Sequence, residues 1–354
     1  MHLADHSRKI PLPREAFDTM LRFARLMHRL ESTSAYAEAL HASLPTAARY
    51  NPGLPSVLMG YDFHLTPEGP KLIEINNNAG GLYVGDGIWL PQPPIPELTD
   101  GIKVSLNGMF PSGWRKIAIM DEHVQQQYMY TEMLAYAEVM GQYGRTVHVV
   151  NPEQLVERND GLYIGTDRID AIYNRHTDFY LETPEVAHIR RAYLSGRVAL
   201  TPHPRSYALL GDKGRMVDWW HEGLLEQVLS SEEIAFVRTV VPEIHRLDEM
   251  DRETVWAERK QWVFKPAARH GGKGVLLGSS LGRRRFSEMS PSEIVVQRYV
   301  PPGKMRFDDH DFKVDLRLYM HAEDLIGVAG RIWRGQVTNF RAPGSGFVPL
   351  DIGT

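Results

Sequence analysis

Three oxygen-bearing side chains on two neighbouring strand-like runs have the types that bind a hard cation. Asp62 lies in the run 57–63, and Glu74 and Asn76 lie in the next run. Side chains alternate faces along a strand, so Glu74 and Asn76 point the same way. A turn at 66–70 predicts a hairpin that brings Asp62 alongside them. Two carboxylates and an amide suit Mg²⁺ shared with nucleotide phosphates; the alternative is an ordinary solvated hairpin face.

A second feature is the glycine-rich loop that follows the strand-like run ending at Lys265. Glycines let backbone N–H groups approach phosphate oxygens closely, and a lysine among them adds a positive charge. The residues concerned are Gly271, Gly272, Lys273 and Gly274. Their spacing fits neither the P-loop nor the dinucleotide pattern. A phosphate-binding loop is therefore one interpretation, and a β-turn between two strands is the other.

Three arginines near the carboxyl end lie on or just after separate predicted strands. They are Arg317, Arg331 and Arg341, with Asn339 close to the last. Guanidinium groups suit the clamping of transferring phosphoryl oxygens and of a substrate carboxylate. The alternative is a set of surface arginines, with Asp315 as the ion-pair partner of a basic neighbour.

Other candidate residues carry less information. Arg175 follows the strand-like run 171–174. Ligands favour the carboxyl ends of strands in such α/β layers, so Arg175 is a candidate substrate contact, with an ordinary polar loop as the alternative. The histidines have no metal-binding spacing, and no Gly-x-Ser-x-Gly motif supports a serine hydrolase.

The elements that must position these residues fall into three regions. Residues 1–110 begin with apolar residues at helical spacing and then carry the hairpin. Residues 111–210 alternate strand, helix and strand, which predicts a small α/β layer with parallel pairing. Its predicted elements are strands at 116–120, 146–150 and 171–174 and a helix at 125–140. Residues 211–354 are mostly short strands joined by turns, and one of these predicted strands spans 337–341. The predicted fold class of the whole chain is therefore α+β combined with α/β.

Composition bounds the function further. Of 354 residues, 43% are hydrophobic and 24% are charged, which is ordinary for a globular protein with a core. The net charge of −4 gives no reason to expect nucleic acid or an acidic membrane as a partner. The absence of cysteine excludes disulfides, thiolate zinc sites and a cysteine nucleophile. Without an apolar run of roughly 20 residues or a recognisable signal peptide, a cytoplasmic location is expected.

Taken together, the candidate residues resemble the ATP-grasp superfamily, in which the nucleotide lies between two α+β lobes. Lys265 and the loop from Gly271 to Gly274 are similar to the lysine-bearing strand and flexible loop of that fold. Further similarities are to the strand that touches adenine (Gln297, Tyr299 and Val300) and to the lysine that reaches the α-phosphate (Lys213). The stretch from Asp315 to Arg341 is similar to the matching stretch of the ribosomal-protein glutamate ligases.

The order of these parts resembles that of the circularly permuted ATP-grasp proteins, the glutathionylspermidine synthetase-like group. In the usual order the Glu-x-Asn strand follows the arginine-bearing stretch, whereas here it lies near the other end, with Asp62, Glu74 and Asn76 similar to the metal ligands. Permutation is physically reasonable because chain termini are often neighbours. The middle region is then similar to the small domain that precedes the lobes. Gly60 is a departure, because that family commonly has an arginine there, so Arg317, Arg331 or Arg341 covers its role or the chemistry differs.

The resemblance implies an ATP- and Mg²⁺-dependent ligase that joins a carboxylate to an amine through an acyl-phosphate. Its partners would be small-molecule or peptide carboxylates and amines. One alternative is a kinase, in which a hydroxyl takes the phosphoryl group. The other is a nucleotide-binding module that regulates a partner without turnover, and Gly60 keeps that alternative open.

Overall fold

The computed structural model describes residues 8–83, 100–267, 274–307, 309–336, 338, 340 and 342–353. Their strands are β1 (Ile10–Leu12), β2 (Met59–Thr66), β3 (Gly69–Asn76), β4 (Lys116–Met120), β5 (Thr146–Val150), β6 (Val156–Arg158), β7 (Gly161–Ile164), β8 (Asp167–Ile169), β9 (Ala171–Asn174), β10 (Ala199–Thr201), β11 (Ile244–Arg246), β12 (Trp262–Pro266), β13 (Leu276–Leu277), β14 (Ile294–Arg298), β15 (Gly303–Phe307), β16 (His310–His321), β17 (Asp324–Trp333), β18 (Gly346–Val348) and β19 (Leu350–Ile352). Their α-helices are α1 (Arg14–Ser32), α2 (Ser34–Leu40), α3 (Thr46–Arg49), α4 (Asp100–Gly108), α5 (Tyr130–Gln142), α6 (Ala187–Leu194), α7 (Pro204–Ser206), α8 (Lys213–Asp218), α9 (Ser231–Val240), α10 (Arg252–Ala257) and α11 (Arg283–Ser287).

The largest sheet joins both ends of the chain. Its strand order is β18-β17-β16-β2-β3, with β15 also pairing with β16, and every one of these pairs is antiparallel. The predicted hairpin is confirmed as β2 and β3, and its inner strand, β2, lies against β16 from the other end of the sequence. The first and last strands, β1 and β19, also pair in parallel.

Helix α1 covers one face of this sheet, as its sequence predicts. Apolar residues recur every three or four positions, and Met20, Phe23 and Met27 are fully buried. The ring of Phe23 meets that of Phe63 on β2 edge-on, with centroids 6.1 Å apart. Burying side chains of this size stabilises the fold by about 1.5–3 kcal/mol each. The helix therefore holds the hairpin in place from behind.

A second sheet, in the middle of the chain, has the order β10-β9-β4-β5 and is parallel throughout. This confirms the predicted parallel layer. The predicted helix 125–140 was wrong at its start, because α5 begins at Tyr130 and residues 124–126 form a separate 3₁₀ turn. The N–H of Val124 donates to Asn151 Oδ1 at 2.8 Å, a contact beyond β5 that holds this turn against the sheet edge.

A third sheet, antiparallel, has the order β11-β14-β12-β13. Its core contains Trp262, Phe264, Phe286 and Val296. Lys265 on β12 reaches across to the hairpin, where its Nζ donates to the carbonyl oxygen of Ile73 at 3.1 Å. This contact brings the third sheet against the outer edge of the first.

The predicted strand at 337–341 is not found at its described positions. Thr338 lies outside any regular element, and Phe340 lies in a turn. The edge of β17 is already taken by β18, while the Phe340 ring packs on Phe347 with centroids 4.8 Å apart. Across the ranges that the structure describes, every helix is too short or too polar to cross a membrane.

Candidate functional site

The structure brings Asp62, Glu74 and Asn76 together on one face of the hairpin. Asp62 and Glu74 are directly opposite each other in the β2–β3 ladder. The amide nitrogen of Asn76 donates to Asp62 Oδ2 at 3.1 Å and to Glu74 Oε1 at 3.3 Å. At the register shift between Asp62 and Phe63, which pair with Glu74 and Leu72, Ile73 of β3 has no opposite residue on β2. Such irregularities re-aim side chains next to functional sites.

Asp62 is completely buried and bound by two arginines. Arg317 donates from Nε to Oδ1 at 2.5 Å and from a terminal nitrogen to Oδ2 at 2.7 Å. Arg331 donates to Oδ2 at 2.8 Å. Burial raises the pKa of Asp62, but the charges of Arg317 and Arg331 outweigh it, so the pKa lies below its usual value. With the Asn76 amide, four N–H donors use the carboxylate's lone pairs.

Arg331 also bridges to a second buried carboxylate, that of Asp315. Its Nε and a terminal nitrogen donate to the two oxygens of Asp315 at 2.5 and 2.7 Å. Burial raises the pKa of Asp315 more than Arg331 lowers it. Arg317 and Arg331 are only 6% and 7% exposed. The alternative of surface arginines is therefore wrong for both, whereas the predicted pairing of Asp315 with a basic neighbour is confirmed.

Strand pairing explains how distant residues form this buried charged cluster. Arg317 lies opposite Asp62 across the β16–β2 ladder, and Asp315 lies opposite Arg331 across the β16–β17 ladder. Acids and arginines thus alternate over three adjacent strands, so every buried charge has an opposite neighbour. Buried charges that are paired in this way avoid the large cost of isolated ones.

Steric crowding explains why position 60 is a glycine. A Cβ built on Gly60 would lie 2.6 Å from Ala79 Cβ and 3.5 Å from Arg317 Nε. A side chain on β2 at this position has no room, because the loop after β3 and the Arg317 guanidinium fill the space. Arg317 thus reaches the centre from the neighbouring strand.

Lys265 and Gln297 meet in the third sheet, next to the hairpin. Lys265 Nζ donates to Gln297 Oε1 at 2.5 Å, while the Gln297 amide nitrogen has no partner within the described chain. Burial lowers the pKa of Lys265 to about 8, a shift that the charge of Glu74 opposes and that of Lys213 supports. This lysine therefore sits among groups of both signs at the junction of two sheets.

The residues expected to touch adenine are partly engaged within the protein. The N–H of Tyr299 donates to the carbonyl oxygen of Gln261 at 2.7 Å. The carbonyl oxygen of Val300 pairs with Nδ1 of His64 at 2.9 Å. Burial lowers the pKa of His64 to about 4, so its ring is neutral near pH 7.

Part of the predicted phosphate-binding loop is described. Gly274 lies in an exposed turn at a φ of +80°, a conformation that glycine adopts without strain. The remaining loop positions and two C-terminal candidates lie outside the described residues: Gly271, Gly272, Lys273, Asn339 and Arg341.

The oxygens of Asp62, Glu74 and Asn76 are of the type that Mg²⁺ prefers, but not all of them are available to bind it. Glu74 is half-buried and its carboxylate accepts from the Asn76 amide, so Glu74 and Asn76 can both turn oxygens toward a cation. Asp62 can join them only by releasing one of its N–H donors. The described residues contain no group of three or more histidine, cysteine or acidic side chains arranged to hold a metal. The site therefore has two carboxylates and an amide rather than an all-acidic cage.

Arg175 contacts the loop after β3 rather than lying in a polar surface loop. Its terminal nitrogen donates to the carbonyl oxygens of Asn78 and Ala79 at 3.1 and 2.8 Å. Gly80, next in this loop, accepts from Arg317 at 3.0 Å. The two arginines thus fix one loop from opposite sides, and Arg175 acts at least in part by positioning.

Glu132 on α5 is a site residue that the sequence reasoning missed. Its Oε1 accepts the N–H groups of Gly81 and Tyr83 at 2.8 and 3.1 Å. Burial raises its pKa, and Arg175 opposes that shift. An acidic residue among the buried positions of a helix, beside Met133 and Tyr136, was the available signal, because buried carboxylates need partners.

A cavity of about 280 Å³ is lined by residues of the hairpin and the loop after it, of the region 128–213 and of the C-terminal segment. Glu74, Asn76, Lys213, Arg175 and Arg317 all line it. These five predicted residues therefore face one shared space, whereas Asp62 and Lys265 are not among its lining residues. Aromatic rings close its other sides: Tyr128, Phe179, Tyr207, Phe340 and Phe347.

Comparison with known proteins gives no match to a family model and none to a curated protein sequence. Solved structures do match. A glutathione synthetase-like effector from Globodera pallida, in its apo form, has a TM-score of 0.60 at 11% identity and covers 100% of this chain and 91% of its own. A γ-glutamylcysteine synthetase-like protein from Methylobacillus flagellatus has a TM-score of 0.53 at 14% identity, over 90% of this chain and 84% of its own.

The structure of the ATP-grasp ligase PsnB with a minimal precursor, Mg and ADP is more distant. It has 16% identity and a TM-score of 0.33, and covers 66% of this chain and 88% of its own. At such identities the likeness concerns the fold alone. The predicted fold class is confirmed: the chain is a mixed α/β protein with an ATP-grasp fold.

Proposed function

We propose that this protein is an ATP- and Mg²⁺-dependent ligase that joins a carboxylate to an amine. The observation that carries the proposal is the convergence of Glu74, Asn76, Lys213 and Arg317 on one cavity, with Lys265 close behind. Anionic and cationic groups face the same space there. That is what phosphoryl transfer requires, because its catalysis is mostly positioning and charge neutralisation.

The reaction would proceed in two steps, phosphorylation of the acid and then attack by the amine. A carboxylate oxygen of the substrate attacks the γ-phosphorus of ATP, and the bond to ADP breaks. The amine nitrogen then bonds to the acyl carbon while the carbon–oxygen bond to phosphate breaks and the amine loses a proton. Arg317 lines the cavity and stabilises charge that develops on oxygen, and Arg331 holds the Asp62 carboxylate from behind.

Lys213 and Lys265 would hold the nucleotide phosphates, and the glycine-rich loop would contribute backbone N–H groups. Glu74 and Asn76 would hold Mg²⁺, and Asp62 would be the third ligand. When bound, Mg²⁺ supplies charge neutralisation between the phosphates. Arg331 and Arg317 prevent Asp62 from taking up a proton, since they keep its pKa low.

We further propose that the chain is circularly permuted relative to ordinary ATP-grasp enzymes. The pairing of the N-terminal hairpin with the C-terminal strand β16 supports this order. The divisions at residues 110 and 210 are part of the same proposal, in which 111–210 is the small domain preceding the lobes.

Replacement of Glu74 by glutamine tests the proposal. It keeps the shape of the side chain but removes one ligand charge, so turnover is expected to fall by about 10²–10³ with little change in unfolding. The exposed Glu68, at the turn of the same hairpin, offers a matched control. Glu68→Gln is expected to retain full turnover.

The assay measures ADP and free phosphate together, with ATP, Mg²⁺ and pooled acids and amines. Equal amounts of both products, dependent on one acid and one amine, support the ligase. ADP without free phosphate contradicts it and favours a kinase. Near-normal turnover of Glu74→Gln would refute the metal assignment.

A further inference from the structure

Lys213, the lysine proposed to hold a nucleotide phosphate, is the first residue of helix α8. It is buried and lines the cavity described above. The side chain of a lysine is long and flexible, and freedom that is lost on binding reduces affinity. The affinity that Lys213 provides therefore depends on how firmly its backbone is fixed beforehand. The residue directly before it, Asp212, begins the helix and fixes that backbone.

The two carboxylate oxygens of Asp212 accept hydrogen bonds from two different parts of the chain. Oδ1 accepts the N–H of Gly214 at 2.9 Å, which is the usual bond of an N-cap residue. Oδ2 accepts the hydroxyl of Tyr180 at 2.7 Å. Hydrogen bonds to a carboxylate are shorter and stronger than those between neutral groups. Together the two bonds fix the direction of the Asp212 side chain and hence the start of α8.

The chain that leads into Asp212 is an unusual helical turn. Residues Tyr207–Gly211 form a π-helix, and the N–H of Asp212 donates to the carbonyl oxygen of Tyr207 at 2.8 Å. From α8, Arg215 Nε donates back to the carbonyl oxygen of Ala208 at 2.9 Å. Single π-helical turns are rare and occur frequently at functional sites. Apart from these bonds within the segment, the Tyr180 hydroxyl holds Asp212 from another region of the chain.

Tyr180 belongs to a segment of the middle region that also borders the cavity. Every second residue from 175 to 179 lines the cavity: Arg175, Thr177 and Phe179. The Phe179 ring stacks on that of Tyr207, with centroids 4.2 Å apart, and the Tyr180 ring meets Tyr207 at 5.1 Å and an angle of 66°. One short stretch of chain therefore borders the cavity and, through its next residue, holds the residue before Lys213.

We propose that Tyr180 is a positioning residue for nucleotide binding, which acts through Asp212 on Lys213. Its hydroxyl holds the Asp212 side chain, the Asp212 side chain caps α8, and the first residue of α8 supplies the ammonium group to a phosphate. Tyr180 itself contacts no phosphate in this arrangement. The role rests on the ligase proposed above, because it requires a nucleotide phosphate at Lys213.

The variant Tyr180→Phe tests this role, because it removes the hydroxyl and keeps the ring that packs on Tyr207. Calorimetric titration with ADP and Mg²⁺ is expected to give a dissociation constant about tenfold above that of the wild type, which corresponds to about 1.4 kcal/mol. Tyr163→Phe is the matched control, since Tyr163 donates to Asp160 at 2.8 Å in an exposed pair, and it should leave the ADP affinity unchanged. An unchanged affinity in Tyr180→Phe would overturn the proposal.

The variant Asp212→Ser shows whether Tyr180 acts through Asp212. Serine still caps a helix, but that bond uses its single oxygen, and the second carboxylate oxygen that Tyr180 needs is gone. In this background Tyr180→Phe should weaken ADP binding by less than about twofold, because the bond it removes is already absent. A further tenfold loss would show that Tyr180 acts on the nucleotide by another route and would contradict the proposal.

Amide hydrogen exchange, measured without nucleotide, reports on the cap itself. Exchange at Gly214 should be at least about threefold faster in Tyr180→Phe than in the wild type, because a loosened cap opens more often. Exchange at Gly214 as slow as in the wild type would overturn the proposal.

The titrations distinguish a failure of this role from a failure of the ligase. Absence of ADP binding by the wild-type protein would refute the nucleotide site, and the role of Tyr180 with it. ADP binding by the wild type that Tyr180→Phe leaves unchanged would refute the role of Tyr180 alone and leave the ligase standing.

Discussion

Replacement of Arg331 by methionine tests the buried charged cluster most directly. Arg331 donates to both oxygens of Asp315 and to one oxygen of Asp62. Without Arg331, Asp62 still has its ion pair with Arg317. Asp315 keeps the hydrogen bond from the Thr338 hydroxyl, which is long at 3.4 Å. Breaking a buried ion pair from one side costs about 3–5 kcal/mol, and we expect a loss of this size in the free energy of unfolding.

The loss should depend on pH in a definite direction. Burial already raises the pKa of Asp315 with Arg331 in place, and the variant removes the group that opposes this shift. A carboxyl whose folded pKa lies above its unfolded pKa binds more protons in the folded state, so its contribution to stability falls as pH rises. The variant's deficit should therefore be smaller at pH 5 than at pH 8.

Urea unfolding followed by circular dichroism at both pH values measures these quantities. The double variant Arg331→Met with Asp315→Asn should recover at least half of the loss, since no unpaired charge remains. Arg306→Met is the control, because Arg306 lies 3.5 Å from Asp309 in an exposed pair, and such pairs contribute less than about 1 kcal/mol. An equal deficit at both pH values, with no recovery in the double variant, would refute the reasoning.

Three further predictions concern other parts of the site. Gly60→Ala should lower the free energy of unfolding by about 1–3 kcal/mol, because its Cβ would clash with Ala79. The control is Gly141→Ala, in open space on α5, which should raise the free energy of unfolding slightly in the same denaturation assay. Affinity for ADP, measured by titration, should fall as pH rises from 7 to 9.5, because burial lowers the pKa of Lys265 to about 8 and its charge is lost above that value; a flat profile would contradict a phosphate contact. Glu132→Leu should speed amide hydrogen exchange at Gly81, whose N–H it frees, and unchanged exchange there would show that Glu132 does not hold the loop.

Local patterns were sufficient to predict much of this fold. The turn at 66–70 lies between two runs of alternating residues, so the hairpin and the common face of Glu74 and Asn76 followed from strand geometry alone. The parallel layer followed from apolar strands spaced by a helical stretch. The hairpin and the β4–β5 pair each join elements that follow one another closely in the sequence.

The failures involve competition between distant segments. Helix α5 begins later than predicted because Asn151 holds Val124 in a turn. The described residues of 337–341 do not form the predicted strand because β18 occupies the edge of β17. Glu132 owes its importance to a loop that lies far away in the sequence. No local pattern specifies such contacts. The loop residues Gly271 to Lys273, and Arg341, stay predictions.

The pairing of β2 with β16 also bears on how the chain folds during synthesis. Asp62 and Arg317 are 255 positions apart, so at 5–20 residues per second the ribosome needs on the order of 10–50 s to supply the partner. Throughout that interval the hairpin has a bare strand edge and an acid with no counter-charge. An unpaired edge of this kind is a template for aggregation. Because the two ends of the sequence form one site, the nascent chain needs protection from aggregation until β16, near the end of the sequence, has emerged.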